Sequence, residues 1–170
     1  MGEDNSQNQA ALGLPASSSG VVSSLVLLYL EDNLDDQVLF RLACERSGVP
    51  LECVAVDAAP KAIAHMEQLL QQGASEALKQ PDLALLDLEM PGLGGLAVLR
   101  YLRGSAAWQS LPAIIFTGGS NRQQLDEAYR LGANSCLRKP LRFDQTVAVA
   151  RAIHLAWTVA WRPQLPAVSR

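Results

Sequence analysis

Leu25-Val26-Leu27-Leu28-Tyr29-Leu30-Glu31-Asp32-Asn33 is the stretch on which the fold turns: six apolar residues in an unbroken row, then two acids and an asparagine. An unbroken apolar run of this length reads as a strand buried on both faces, as in a parallel sheet covered by helices. Downstream, residues 34 to 47 change to helical spacing. Leu34, Val38 and Leu42, with Leu39 and Ala43, fall along one side, and Gly48 and Pro50 stop the helix.

The alternation then repeats. Leu51 to Val56 is a second strand, residues 59 to 72 a second helix, and Gly73 closes it. After a polar connection ending at Pro81, Asp82 to Asp87 reads as a third strand, and Leu96 to Arg103 as a third helix behind the turn Pro91-Gly92-Leu93-Gly94-Gly95. Pro112 to Thr117 is a fourth strand, residues 122 to 131 a fourth helix ended by Gly132, Asn134 to Arg138 a short fifth strand, and Arg142 to Trp161 a long last helix. Five strand-helix units without internal repeats imply an α/β fold with a doubly wound parallel sheet, for which the strand order 2-1-3-4-5 is one common solution. Its ligand crevice lies beyond the carboxyl ends of the strands.

The residues that end the strands are therefore the informative ones: Glu31 and Asp32 after the first, Asp87 after the third, Thr117 after the fourth, Lys139 after the fifth. Singly, each is an ordinary loop acid, helix cap or exposed lysine. Together, on one edge of an apolar sheet, three carboxylates repel one another and need a cation or raised pKa values. A hard divalent ion such as magnesium suits oxygen ligands and keeps several waters. Asp32 and Asp87 are placed to bind it directly and Glu31 through a water. The other Asp87 oxygen is then a nucleophile for phosphorus, Lys139 a positive charge for a phosphoryl oxygen, and Thr117 a hydroxyl donor for another.

In these residues the chain resembles the response-regulator receiver domains of two-component signalling. The matching segments are Leu27 to Asn33, Leu85-Leu86-Asp87-Leu88-Glu89-Met90-Pro91-Gly92-Leu93-Gly94-Gly95, Phe116-Thr117-Gly118-Gly119, and Arg130-Leu131-Gly132-Ala133-Asn134 with Lys139-Pro140. The resemblance implies a flavodoxin-like (βα)5 fold, Asp87 as phosphoacceptor, and magnesium held by Asp32, Asp87 and the Glu89 backbone carbonyl. It also implies a cis peptide before Pro140 and a phosphohistidine donor on a sensor histidine kinase. The opening Glu-Asp-Asn-x-x-Asp, the long connection around residues 71 to 81 and the long final helix are similar to the stand-alone regulators of phytochrome-type kinases.

Two positions depart from the family pattern. Cys136 stands where an aromatic switch residue is usual, which breaks the usual coupling to Thr117 and leaves a packing residue or a redox modulator. Leu34 stands where proline is frequent. Glu89 and Gly119 flank the expected phosphoryl position, and Gly119 is expected to leave that side open to water.

The remainder of the 170-residue chain sets the context. An apolar content of 49% is enough for a core, and a net charge of −3 argues against a nucleic-acid surface. Residues 1–22 read as a disordered tail, 23–162 as the receiver unit, and 163–170 as a second tail, with no secretory signal and no membrane span. The Met1-Gly2 start with Ser6 is a chance match to a myristoylation pattern beside Glu3 and Asp4. Three scattered cysteines, Cys44, Cys53 and Cys136, fit a reducing, cytoplasmic setting. His65 and His154 lie away from the strand ends, so the donor histidine belongs to a partner.

With no effector domain expected, output falls to binding another protein or to passing the phosphoryl group onward. The last helix carries two apolar stripes, Phe143, Val147, Ala150, Ile153, Trp157 and Val149, Ala152, Ala156, Val159, with Trp161 beyond. Two stripes point to a homodimer through this helix, Trp157 and Trp161 included, with neighbouring parts of the fourth helix and fifth strand. Three competing readings remain. A haloacid-dehalogenase-type phosphatase needs a second Asp where Glu89 stands. A nucleotide or flavin binder needs a glycine-rich loop where Glu31 to Asp36 is acidic. An unphosphorylated scaffold has no use for the full acidic set.

Overall fold

A computed structural model describes residues 24–92, 94–119 and 121–159. Both expected tails and Trp161 lie outside the described residues. The elements alternate as read: β1 (Leu25–Leu30), α1 (Leu34–Arg46), β2 (Leu51–Val56), α2 (Ala59–Gln72), β3 (Leu83–Leu86), α3 (Gly95–Gly104), β4 (Ala113–Thr117), α4 (Arg122–Arg130), β5 (Ser135–Arg138) and α5 (Phe143–Val159). All neighbouring strands pair in parallel in the order β2-β1-β3-β4-β5. Parallel pairs need crossovers, and the helices supply them on both faces of the sheet.

That arrangement explains which strands are uniformly apolar. β3 and β4 are buried throughout and β1 nearly so, whereas edge strand β2 is half-buried along its length. One core layer holds Leu28, Leu30, Ala84, Leu86 and Ile115 against α2, α3 and Trp108. The other holds Leu27, Tyr29, Leu85, Ile114 and Phe116 against Phe40 and Cys44 of α1 and Ala150 and Ile153 of α5. Leu30 pairs with Val56 and Leu86, so β1 and β3 finish level, and Leu86 pairs with Ile115, so β4 runs two residues further to Thr117. This registry brings Glu31, Asp32 and Asp87 to one edge.

Of the apolar side of α1 only Ala43 is buried, and its leucines and Val38 face outward. Leu34 is 67% exposed and Val38 63%. The buried residues are Gln37, Phe40, Ala43 and Cys44. Two polar anchors fix this rotation. The Asn33 side chain caps the helix by accepting from the Asp35 and Asp36 amides, and the Gln37 amide donates to the Glu31 carbonyl at 2.6 Å. A buried carbonyl without a partner is costly, so this bond outweighs the exposure of a few leucines. On α5, Ala150 and Ile153 are buried and Trp157 packs in part on the core. Phe143 is 38% exposed, and of the second stripe Ala152 and Ala156 face outward. The side chain of Val159 lies outside the description. No described helix is long and apolar enough to cross a membrane.

Candidate functional site

Each acid at the sheet edge is held by backbone that the sequence dictates locally. Asp87 follows the buried β3 run and is 2% exposed. Its amide donates to the Leu30 carbonyl at 3.1 Å, and its carbonyl accepts from the Gly95 amide at 2.8 Å. A side chain at residue 95 would place its Cβ 2.3 Å from that carbonyl oxygen, so only glycine permits α3 to start there. The Asp87 carboxylate accepts from the Glu89 amide at 3.0 Å through Oδ1 and from Lys139 Nζ at 2.8 Å through Oδ2. Glu31 is buried at the end of β1, while Asp32 is exposed beside it.

Carboxylate oxygens of Glu31, Asp32 and Asp87 lie within 4.8 Å of one another. The Lys139 ammonium spans the group, bonding Glu31 and Asp87 and reaching Asp36 Oδ2 at 3.2 Å. Burial presses Lys139 toward neutrality, but its hydrogen bonds to Asp87 and Glu31 outweigh that and lift it above the usual lysine range. Burial is also the largest influence on Glu31. It raises that carboxyl above the usual range against the hydrogen bonds from Lys139 and Tyr29. Four carboxylates around one ammonium leave a negative surplus among the described residues, and the oxygen-only donor set fits a hard divalent cation.

Thr117 is buried where β4 ends, and its carbonyl accepts from the Lys139 amide at 2.9 Å. β5 thereby delivers Lys139 beside the acids. The cis bond expected before Pro140 is not found: no described peptide is cis, and the ammonium reaches Asp87 across a trans Lys139-Pro140 bond. Cys136 packs partly buried against the core, and its amide donates to the Tyr129 hydroxyl at 3.2 Å. Burial raises this thiol above its ordinary range, which favours packing over thiolate reactivity.

The Gly119 side is not open. A Cβ there would fall 1.5 Å from a Glu89 carboxylate oxygen, so the Glu89 side chain occupies the space a residue at 119 would fill. The strand-end reading missed three participants. Asp36 touches Lys139, Tyr29 donates to Glu31 at 2.8 Å, and Gly95 admits the Asp87 carbonyl. The i, i+2 spacing of Tyr29 and Glu31 on one strand face was a usable signal. His65 bonds the Lys79 carbonyl and His154 is buried in α5, both away from the site.

The comparisons with known proteins agree with this geometry. The response regulator receiver domain family matches residues 30–151. The DNA-binding transcriptional regulator NtrC of Salmonella typhimurium is 34% identical over 123 residues, 71% of this chain and 24% of that protein. The chain thus spans about a quarter of NtrC. Response regulator Rcp1 of Synechocystis sp. is 26% identical over 132 residues, covering 78% of this chain and 88% of Rcp1. The phosphorylated cyanobacterial phytochrome response regulator RcpA has a TM-score of 0.70 and 27% identity, covering 84% of this chain and 100% of that one. Response regulator RPA3017, from red light signalling in R. palustris, shares the fold with a TM-score of 0.73 at 24% identity, covering 82% and 99% of the two chains. With its parallel five-stranded sheet and its acids gathered beside Lys139, the chain belongs to the response regulator receiver domain family of two-component signalling.

Proposed function

We propose that Asp87 accepts a phosphoryl group from a phosphohistidine on a partner kinase. An Asp87 oxygen attacks phosphorus as the bond from phosphorus to the imidazole nitrogen breaks. Asp32, Asp87, Glu31 and the Glu89 backbone carbonyl would hold a magnesium ion there. When bound, the ion offsets charge on the transferring group. Lys139 supplies a positive charge to one phosphoryl oxygen and Thr117 a hydroxyl to another. The observation that carries this reading is the Asp87 carboxylate bonded to Lys139 and within 4.8 Å of the acidic pair, in a buried position where its backbone is fixed on two sides.

Incubation with phosphoramidate and Mg2+, read by intact mass, tests it. Wild type gains one phosphoryl group and Asp87→Asn gains none; an equal gain in both removes the assignment. Slow hydrolysis of the aspartyl phosphate, an autophosphatase step in which water attacks phosphorus and inorganic phosphate leaves as the Asp87 carboxylate is restored, resets the switch.

The similarity to the phytochrome response regulator RcpA supports a phytochrome-type kinase as the donor. The three scattered cysteines support a cytoplasmic location. The outward row Leu34, Val38, Leu39 and Leu42 starts beside the acidic edge and offers the donor an apolar footing. Phosphorylation alters the α4-β5-α5 face, where Tyr129 is 53% exposed against Cys136. Homodimerisation uses this face and the exposed row Ala148, Ala152, Leu155 and Ala156 of α5. Trp157 contributes its uncovered part.

A further inference from the structure

Tyr29 sits in mid-β1, paired with Ala55 on one side and Leu85 on the other, and is 1% exposed. Its ring packs on Phe40, at a centroid distance of 4.7 Å, with Phe116 at 6.3 Å. The same three rings help to line a cavity of about 80 Å³ that also touches Asp36, Lys139 and Pro140. From this packed ring the hydroxyl donates to Glu31 Oε2 at 2.8 Å, the same oxygen that Lys139 bonds. The other oxygen, Oε1, accepts only a long 3.3 Å bond from the Asn33 amide among the described residues.

Lys139 therefore has two duties. It satisfies the buried Glu31 carboxylate, and it must also reach a phosphoryl group arriving on Asp87. A buried carboxylate oxygen stripped of its donor is costly, so Glu31 resists losing the ammonium unless another donor stays behind. The phenol is that donor, and it is held in place by ring packing inside the core.

We propose that Tyr29 is a positioning residue for phosphoryl transfer, holding Glu31 from inside the core so that Lys139 can leave it for the phosphoryl group. This rests on the reading of Asp87 as phosphoacceptor. The hydroxyl bonds Glu31 through Oε2 and not Oε1, so metal affinity is not the quantity Tyr29 sets. Removing the hydroxyl ties Lys139 to Glu31 and slows transfer.

Tyr29→Phe keeps the ring and tests the idea. Phosphorylation by phosphoramidate at saturating Mg2+ is expected to slow at least about fivefold, whereas the Kd for Mg2+ alone, from calorimetry on the unphosphorylated protein, stays within about twofold. In a Glu31→Gln background, the same change is expected to have less than about a twofold further effect, because coupled residues are non-additive. A rate within twofold of wild type overturns the proposal. So does an undiminished loss in the Glu31→Gln background, which marks a packing effect. A loss confined to weakened Mg2+ binding also overturns it. Should the variant melt early, wild type with its tyrosine ring carbons labelled answers the question: the Tyr29 resonance shifts when beryllofluoride is added with Mg2+, and an unmoved resonance rejects the role. A wild type that takes no phosphoryl group defeats the phosphoacceptor reading instead.

Discussion

At the residue scale, two glycines carry sharp expectations. The Gly95 Cα abuts the carbonyl of Asp87, and an added Cβ at 2.3 Å meets backbone that cannot swing away. Gly95→Ala is expected to destabilise the fold by about 1–3 kcal/mol, the usual range for overpacking, read by thermal or urea melting. Gly119 differs because its neighbour is the end of a flexible side chain. Gly119→Ala displaces the Glu89 carboxylate from its seat and leaves stability nearly unchanged. With that carboxylate moved off the loop beside Thr117, water reaches the phosphoryl group more easily, and the aspartyl phosphate is expected to decay several-fold faster by intact mass. Glu89→Ala should reproduce the effect, and Gly119→Ala should add little to it. An unchanged lifetime in both variants separates this contact from hydrolysis.

At the element scale, α1 shows where sequence patterning falls short. Its most regular apolar row, Leu34, Val38 and Leu42, faces outward, because the Asn33 cap and the Gln37 bond to Glu31 orient the helix. Hydrophobic periodicity finds a stripe but cannot weigh it against a single buried polar contact. The consequence is testable. Leu34→Lys with Val38→Lys should leave stability within about 0.5 kcal/mol per site, as exposed substitutions do. Phosphorylation by phosphoramidate should be unchanged, while transfer from the cognate kinase falls. Equal losses from both donors place the effect inside the site. In contrast, Phe40→Ala opens the buried side between Tyr29 and Phe116 and should cost about 3–5 kcal/mol by denaturant melting. α5 is tied to the end of α1 by Arg151, which donates to the Ser47 carbonyl at 3.0 Å. Its outward row of Ala148, Ala152, Leu155 and Ala156 is free for a second copy. Sedimentation of wild type against Leu155→Glu tests that contact: a dimer that dissociates supports it, and a wild type monomeric at high micromolar concentration rejects it.

At the scale of the whole molecule, the acidic edge trades stability for function. Carboxylates crowded around one ammonium repel one another without a cation, so Mg2+ should raise the melting temperature. At ten times its Kd, the gain is about 1.4 kcal/mol, or roughly 3–6 °C for a chain of this size. Asp32→Asn should melt higher than wild type without Mg2+ and lose most of the response to it. A full response in Asp32→Asn excludes that residue from the metal site.

The order of elements, the parallel sheet and the identity of Asp87, Asp32, Glu31, Thr117 and Lys139 as strand-end residues were legible in the chain itself, because period, burial and strand termination are local properties. Only the tertiary structure decided that Lys139 is shared among Glu31, Asp36 and Asp87, that Tyr29 supports Glu31 from below, that Glu89 covers Gly119, and that α1 turns its leucines to solvent. These are contacts between side chains brought together by sheet order and helix rotation. They depend on angles and distances of a few ångströms that no spacing along the sequence encodes.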